Sequence, residues 1–411
     1  MLRSERLGAA AWSRWISHAY AAPPESESKR FLSLLLDIGR SDPGQILLPT
    51  SDETTWLYTR NAAQLEEYFL LYQPSAPVFG RILDKNLLAA AASKAGVASL
   101  LSWDPGSIDE LRVLAPMLPY PILVKPRTHI HRVETNKGAV ARSASELLQQ
   151  YRQFLARERV RDDGGSLRFD PARPILQQFV EVGSEGVHSI SGFIDRSRQL
   201  FVTRRSRKVF QRSRPVGVGV CYESLPPDAS LSNSVRALCD ELGYFGIFEV
   251  EFLSFDGAWV VIDFNPRLYN QVGLDIARGL PLPVLACLGA LDDKAGLRQA
   301  VAKALAVNDN QTLVFYDRFT LHAMLVAMYM TSRISRDDMA YWRSWVKQNA
   351  AQAIDVAAAK EDPMPGIIHA LSETFRGIKA IPRFSRSTPR VGSAQGESLS
   401  SARGEACGRH D

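Results

Sequence analysis

Glu251-Phe252-Leu253-Ser254-Phe255-Asp256-Gly257-Ala258-Trp259-Val260-Val261-Ile262-Asp263-Phe264-Asn265-Pro266-Arg267 reads as a β-hairpin that carries chemistry. Two apolar runs flank a Phe-Asp-Gly turn, a strong short-range signal for paired antiparallel strands. Side chains alternate along a strand, so Asp263 and Asn265, two positions apart, project to one side. Glu251 comes from the partner strand, and Glu249, two residues before it, shares its face. Two carboxylates and an amide are hard oxygen ligands suited to Mg²⁺, which takes few protein groups and completes its shell with substrate phosphates. The bland alternative is a surface hairpin with stray charges. Val260, Val261 and Ile262 argue instead for a buried strand.

Other features stand in a definite order before the hairpin. Asp84-Lys85 opens a helical pattern, and Lys125 ends the apolar run Pro121-Ile122-Leu123-Val124. Gln177-Gln178-Phe179-Val180 reads as a strand, with Glu185 just beyond it. Together with the acidic residue that precedes Asp-x-Asn-Pro-Arg by about a dozen positions, these resemble the landmarks of the ATP-grasp superfamily, from residue 84 to about residue 283, half of the chain. The resemblance implies that Lys85 and Lys125 touch ATP phosphates, that Gln178, Phe179 and Val180 line the adenine hinge, and that Glu185 reaches the ribose. It implies Glu251, Asp263 and Asn265 as metal ligands, with Glu249 as the rival of Glu251. Glu251 lies 12 positions before Asp263, the family spacing. Arg267, Arg207 and Lys208 are the implied catalytic cations, the last two resembling a Gly-Arg-Lys step that some members carry after the hinge. Arg267 follows the ligand strand directly, where a guanidinium can stabilise charge on a transferring phosphoryl group; a salt bridge to a neighbouring carboxylate is the plainer alternative.

The loop after Lys125 departs from the glycine-rich family pattern. It reads Pro126-Arg127-Thr128-His129-Ile130-His131-Arg132-Val133-Glu134-Thr135-Asn136-Lys137-Gly138, with one glycine and many cations. Such a loop can hold a triphosphate through charge-assisted hydrogen bonds, with Lys137 among the cofactor-binding candidates. His129 and His131 lack the further Cys or His that a Zn²⁺ set needs.

At 411 residues the chain has room for two or three domains, and its 45% hydrophobic and 23% charged content is that of an ordinary globular protein. Five Arg against two Glu and one Asp in residues 383–411 supply +2 of the +5 net charge. Eight more cations lie between Arg196 and Arg214 with no acid among them. They alternate with apolar residues and sit in no nucleic-acid module, so an anion site and a solvated strand face are the competing readings. Four scattered cysteines fit a reduced compartment. No secretory signal stands at the start, and the longest apolar segments, about 12 residues, are too short to cross a bilayer. Cytoplasmic localisation follows as the expectation.

The fold class expected is α/β (α+β): an ATP-grasp fold with a shortened Rossmann-like pre-domain and a helical C-terminal extension. The expected divisions are a pre-domain over 1–78, an ATP-grasp domain over 79–291 with a lid-like subdomain at about 115–175, helices over 292–382 and a disordered tail over 383–411. The pre-domain reads as though its first strand were missing. Beyond 283, helical periodicity covers 297–306, 319–330, 337–359 and 366–378, and Tyr341, Trp342 and Trp345 read as core packing. The resemblance implies MgATP, with Mn²⁺ as a substitute metal, a small carboxylate activated as an acyl phosphate and an amine that captures it, as in ligases similar to D-aspartate ligase. A biotin-carboxylase or carbamoyl-phosphate-synthase activity and a non-catalytic ATP-binding protein are the alternatives. Expected partners are the carboxylate and the amine, with a homodimer left open and neither nucleic acid nor membrane.

Overall fold

The computed structural model describes residues 1–3, 8–132, 138–157, 170–181, 186–212, 218–357 and 359–384. They sort into two compact units, Ala22–Thr312 and a second one formed by the described parts of Met1–Ala21 and Leu313–Asp411. This grouping differs from the expected divisions at 78, 291 and 382.

In the unit Ala22–Thr312, the hairpin is formed by Gly246–Phe255 and Ala258–Asn265. Its two turn residues, Asp256 and Gly257, both have positive φ (50° and 74°), the backbone that a two-residue hairpin turn of matching twist requires. The sheet continues from Gly246–Phe255 to Val187–Ile194, Phe201–Arg212 and Val218–Leu225, all antiparallel. The strand Phe201–Arg212 is the longest of these and is paired on both sides, with Val187–Ile194 and with Val218–Leu225. One face, with Ile190, Phe248, Val250, Phe252 and Phe264, packs against the helices Lys85–Lys94 and Ala229–Leu242 in a single core cluster. Fully burying each such aromatic contributes about 2–3 kcal/mol. The alternate positions carry Ser189, Ser191, Ser206 and Glu249, all buried and polar. At Gly192 a Cβ would stand 2.2 Å from the Val202 carbonyl oxygen, so only glycine lets the strands approach there.

A second sheet takes Ser102–Trp103, Pro174–Gln178, Ile122–Pro126 and Ala139–Ala141, in that order. The helices Ile108–Leu114 and Ala144–Arg157 pack on it around Leu111, Leu147 and Tyr151. Before it lies a smaller α/β element: the parallel strands Gln45–Leu47 and Phe69–Leu71 with the helices Ser28–Ser41 and Asp52–Arg60.

The second unit differs from the all-helical expectation for this region. It pairs Val314–Tyr316 with Ala353–Asp355 in parallel. The helix expected over 337–359 spans Arg336–Gln348, and the chain then enters that second strand. Trp342 is buried, with its ring 5.8 Å from that of Trp345, in agreement with core packing, whereas Tyr341 is 47% exposed and is not part of that core. The tail expected to be disordered lies outside the described residues from 385 onward. Among the described residues no helix is long and apolar enough to cross a membrane.

Candidate functional site

The hairpin register sets Glu251 opposite Asp263 and Glu249 opposite Asn265. All four side chains share one face, as the alternation predicts, and each meets a partner supplied from elsewhere. Asp84 caps the helix Lys85–Lys94 by accepting from the Asn86 backbone N–H at 2.9 Å. The first residue of that helix, Lys85, then reaches the Asp263 carboxylate, with Nζ 2.5 Å from Oδ1. Lys125, buried on the strand Ile122–Pro126, donates to Gln177 Oε1 at 2.8 Å. Burial alone would raise the Asp263 pKa, but Lys85, His129 and Lys125 overcome it and hold the carboxyl well below its usual range.

Lys208 lies 2.8 Å from Glu251 Oε1, with its side chain only 8% exposed. Burial disfavours the ammonium, yet the Glu251 charge and hydrogen bond outweigh that and raise its pKa. Glu249 is more deeply placed. Its Oε1 accepts from Ser189 Oγ (2.6 Å) and Gln271 Nε2 (2.5 Å), and its Oε2 accepts from Asn265 Nδ2 (2.6 Å). Burial and then the Glu251 charge push it up to about 7 in spite of those donors. A carboxyl whose folded pKa lies above its unfolded value binds the proton more tightly in the folded state. Its contribution to stability is therefore full below the unfolded pKa and is lost as pH rises to about 7. Asp263, shifted the other way, stays ionised throughout that window. Thermal unfolding at pH 5 and pH 8 should accordingly show a stability loss of at most about 3 kcal/mol traceable to this group. Glu249→Gln should remove that part of the slope, and an unchanged slope would refute the shift.

Arg267 makes the plainer contact foreseen for it, a salt bridge of 2.6 Å to Asp52 Oδ1. Its remaining donors hold Asn265 Oδ1 and the Leu268 carbonyl, each at 3.0 Å. Arg207 does not join the cluster. It points to the opposite side of its strand from Lys208 and pairs with Glu223 at 2.8 Å. Most of the rest of the basic run is taken up by partners elsewhere in the fold. Arg204 is buried against Asp309 and the Ala304 and Arg278 carbonyls, Arg205 pairs with Asp228, Arg198 with Asp240, and Arg196 lies over Tyr72 and Phe245. These cations meet groups of their own chain, so of the described side chains only Lys208 brings the run to the carboxylates. The Gln178 and Phe179 backbone N–H groups donate to the Leu101 and Pro121 carbonyls. Val180 packs beside Leu100, Leu253 and Val260. Lys137 and Glu185 lie outside the described residues.

Several contributors had no local signal. Arg127 is clamped by Asp84 (2.9 Å) and Asp104 (2.8 Å), while its carbonyl accepts from the Lys85 N–H, which ties the elements bearing Lys85 and Lys125 together. Asp52 and Gln271 likewise act over separations of 215 and 22 residues.

Among the described residues no three His, Cys, Asp or Glu side chains form a self-sufficient metal cage. The donor set nevertheless fits Mg²⁺, which needs one or two carboxylates when phosphates complete its shell. Glu251 and Asp263 provide these, facing each other in register, and Asn265 follows on the same face. A transition metal that prefers imidazole or thiolate finds no such set here.

No protein-family model matches the sequence, and comparison with curated proteins finds no match. Solved structures do match. An L-amino acid ligase from Bacillus licheniformis aligns with a TM-score of 0.54 at 13% identity, over 72% of this chain and 68% of that one. The biotin carboxylase of Campylobacter jejuni, in complex with a β,γ-ATP compound, aligns at 0.55 and 12% identity, over 76% and 68%. The biotin carboxylase domain of Hydrogenobacter thermophilus 2-oxoglutarate carboxylase, a dimer with MgADP and bicarbonate, aligns at 0.54 and 14% identity, over 74% and 66%. This chain thus spans about two thirds of the length of each. The likeness establishes the fold expected from the sequence: the chain has the ATP-grasp fold.

Proposed function

We propose that this chain is an ATP-dependent ligase that activates a small carboxylate as an acyl phosphate and passes it to an amine. The observation that carries the reading is the in-register pair Glu251 and Asp263, ringed by Lys208 and Lys85, with the Lys125 charge acting on Asp263. A pair of carboxylates beside several ammonium groups suits a magnesium-bound polyphosphate, since the cations neutralise phosphate oxygens while the carboxylates hold the metal. Glu251, Asp263 and Asn265 would hold Mg²⁺, or Mn²⁺ in its place, and the ion would supply charge neutralisation at the β- and γ-phosphates.

In this reading Lys85 and Lys125 bind phosphate oxygens, and Arg267 faces the charge that develops as the phosphoryl group moves. Lys208 holds Glu251 in place and offers a second cation on the acid side. An oxygen of the substrate carboxylate attacks the γ-phosphorus, and the bond to the bridging oxygen breaks with its electrons leaving on ADP. The amine nitrogen then attacks the acyl carbon, inorganic phosphate departs, and a proton leaves the nitrogen. No nucleophile of the protein is required. Gln178 to Val180 supply the adenine side, and Lys137 and Glu185 remain proposed contributors from outside the described residues.

Hydroxylamine tests the reaction. With MgATP, the right acid and no natural amine, it should intercept the acyl phosphate as a hydroxamate. Lys85→Met and Lys125→Met should each weaken ATP binding about tenfold or more while adenosine binding changes little, a loss of about 1.4 kcal/mol or more confined to the phosphates. Equal losses for both ligands would make the lysines structural. A protein that binds MgATP but yields neither hydroxamate nor acid-dependent ADP across a wide panel of carboxylates, bicarbonate included, would be a nucleotide binder rather than a ligase.

A further inference from the structure

The helix Asp52–Arg60 begins with two acids, a pattern ordinarily explained by the positive end of the helix dipole and worth about 0.3–1 kcal/mol per charge at an exposed end. Here neither acid is simply facing solvent. Asp52 Oδ1 accepts from Arg267 Nε at 2.6 Å, both side chains being less than one-fifth exposed. Glu53 Oε1 accepts from the backbone N–H of His131 at 2.6 Å, and its Oε2 lies 3.5 Å from His131 Nδ1. Two consecutive side chains of one helical turn thus reach two separate site elements, the end of the ligand strand and the cationic loop after Lys125. A third contact runs alongside, from the Leu268 N–H to the Pro49 carbonyl at 3.3 Å.

The turn that carries these acids is firmly built. Ser51 and Thr54 form a reciprocal capping box, and the helix buries Thr54, Thr55, Trp56, Leu57, Tyr58 and Thr59. The loop it holds needs holding, because His131 has a φ of 61°, a left-handed backbone that costs a residue with a side chain of order 1 kcal/mol. Arg267, for its part, is fixed on three sides by Asp52, Asn265 and the Leu268 carbonyl, so its guanidinium cannot swing.

We infer that Asp52 and Glu53 are positioning residues for the phosphoryl step: a bracket in which Asp52 orients Arg267 and Glu53, through His131, holds the described stretch 126–132 after Lys125 against the nucleotide. The inference rests on the ligase reading of the site. A guanidinium that acts on developing charge is sensitive to small displacements, and about an ångström of misplacement can cost about a hundredfold in rate. The two arms should therefore fail differently.

The test uses the full chain and two probes, ADP release from MgATP and MgATP binding by calorimetry. Asp52→Asn should slow ADP release about 10- to 100-fold with MgATP affinity within about threefold, and Asp52→Glu should restore part of the rate. Glu53→Gln should do the reverse, weakening MgATP about tenfold, a change of about 1.4 kcal/mol, with a smaller effect on turnover. Because Asp52 acts through Arg267, Asp52→Asn should add little in an Arg267→Lys background. Equal damage to rate and affinity in both variants, or full additivity of Asp52→Asn with Arg267→Lys, would overturn the bracket. The two readings fail separately: an Arg267→Lys protein of undiminished rate refutes the role of Arg267, whereas a slow Arg267→Lys beside an unaffected Asp52→Asn refutes the bracket alone.

Discussion

Asp263→Ala is expected to reduce turnover about a thousandfold or more, the equivalent of about 4 kcal/mol of transition-state stabilisation, while the fold survives. The carboxylate lies on the ligand face opposite Glu251, is held ionised by Lys85, His129 and Lys125, and is 27% exposed, so it is within reach of solvent and of a bound ion. Removing it takes one of the two in-register carboxylates from the magnesium set. The diagnostic is in the metal dependence. The wild type should bind ATP more tightly with Mg²⁺ than without it, and Asp263→Ala should lose that increment while keeping metal-free binding, since a negative charge has been taken from beside the phosphates. Asp263→Asn keeps the shape and should behave similarly. Full activity in Asp263→Ala would remove the central premise of the proposed function, and Glu249→Gln doing more harm than Glu251→Gln would transfer the metal role to the more buried acid.

Arg278→Ala should be the most damaging single change to stability, by about 3–5 kcal/mol. Its guanidinium is 2% exposed and grips Asp309 through two bonds of 2.7 Å, while reaching Asp275 at 3.3 Å and the carbonyls of Arg205 and Leu225. Truncation would leave two carboxylates and two carbonyls buried without that partner. Arg204, 3.5 Å from Asp309, can compensate only in part. A drop of about 10 °C in the unfolding midpoint is expected, and a drop of a degree or two would show that the network relaxes or hydrates. Arg278→Lys should recover little, because an ammonium cannot reproduce the fork. Asp275 also accepts from Ser191 (2.6 Å) and Tyr269 (2.5 Å), so the same network steadies the segment that brings Gln271 to Glu249. Loosening there should reach the site as well as the melting curve.

Where sequence reading was reliable, short periodicities carried it. The Asp256-Gly257 turn, the strands on either side and the common face of Glu251, Asp263 and Asn265 follow from an alternation of two and a turn that needs positive φ. A helix start was similarly legible at Asp84, whose side chain caps the helix that Lys85 begins. The basic run, for which an anion site and a solvated strand face compete in the sequence, was not legible in this way. Arg204, Arg205 and Arg207 look like free cations in sequence, and only the fold brings Asp309, Asp228 and Glu223 beside them.

By itself the sequence determined the hairpin, the residues that share its ligand face, the order of the lysine-bearing elements and through them the ATP-grasp fold, because each of these depends on neighbours a few positions apart. Tertiary structure alone decided which charge meets which. It set Lys85 on Asp263, Lys208 on Glu251, Arg267 on Asp52 and Arg207 away from the cluster. Those pairings span 16 to 215 residues. A charge carries no sign of its partner along the chain; the partner is chosen when burial makes an uncompensated ion too costly to leave alone.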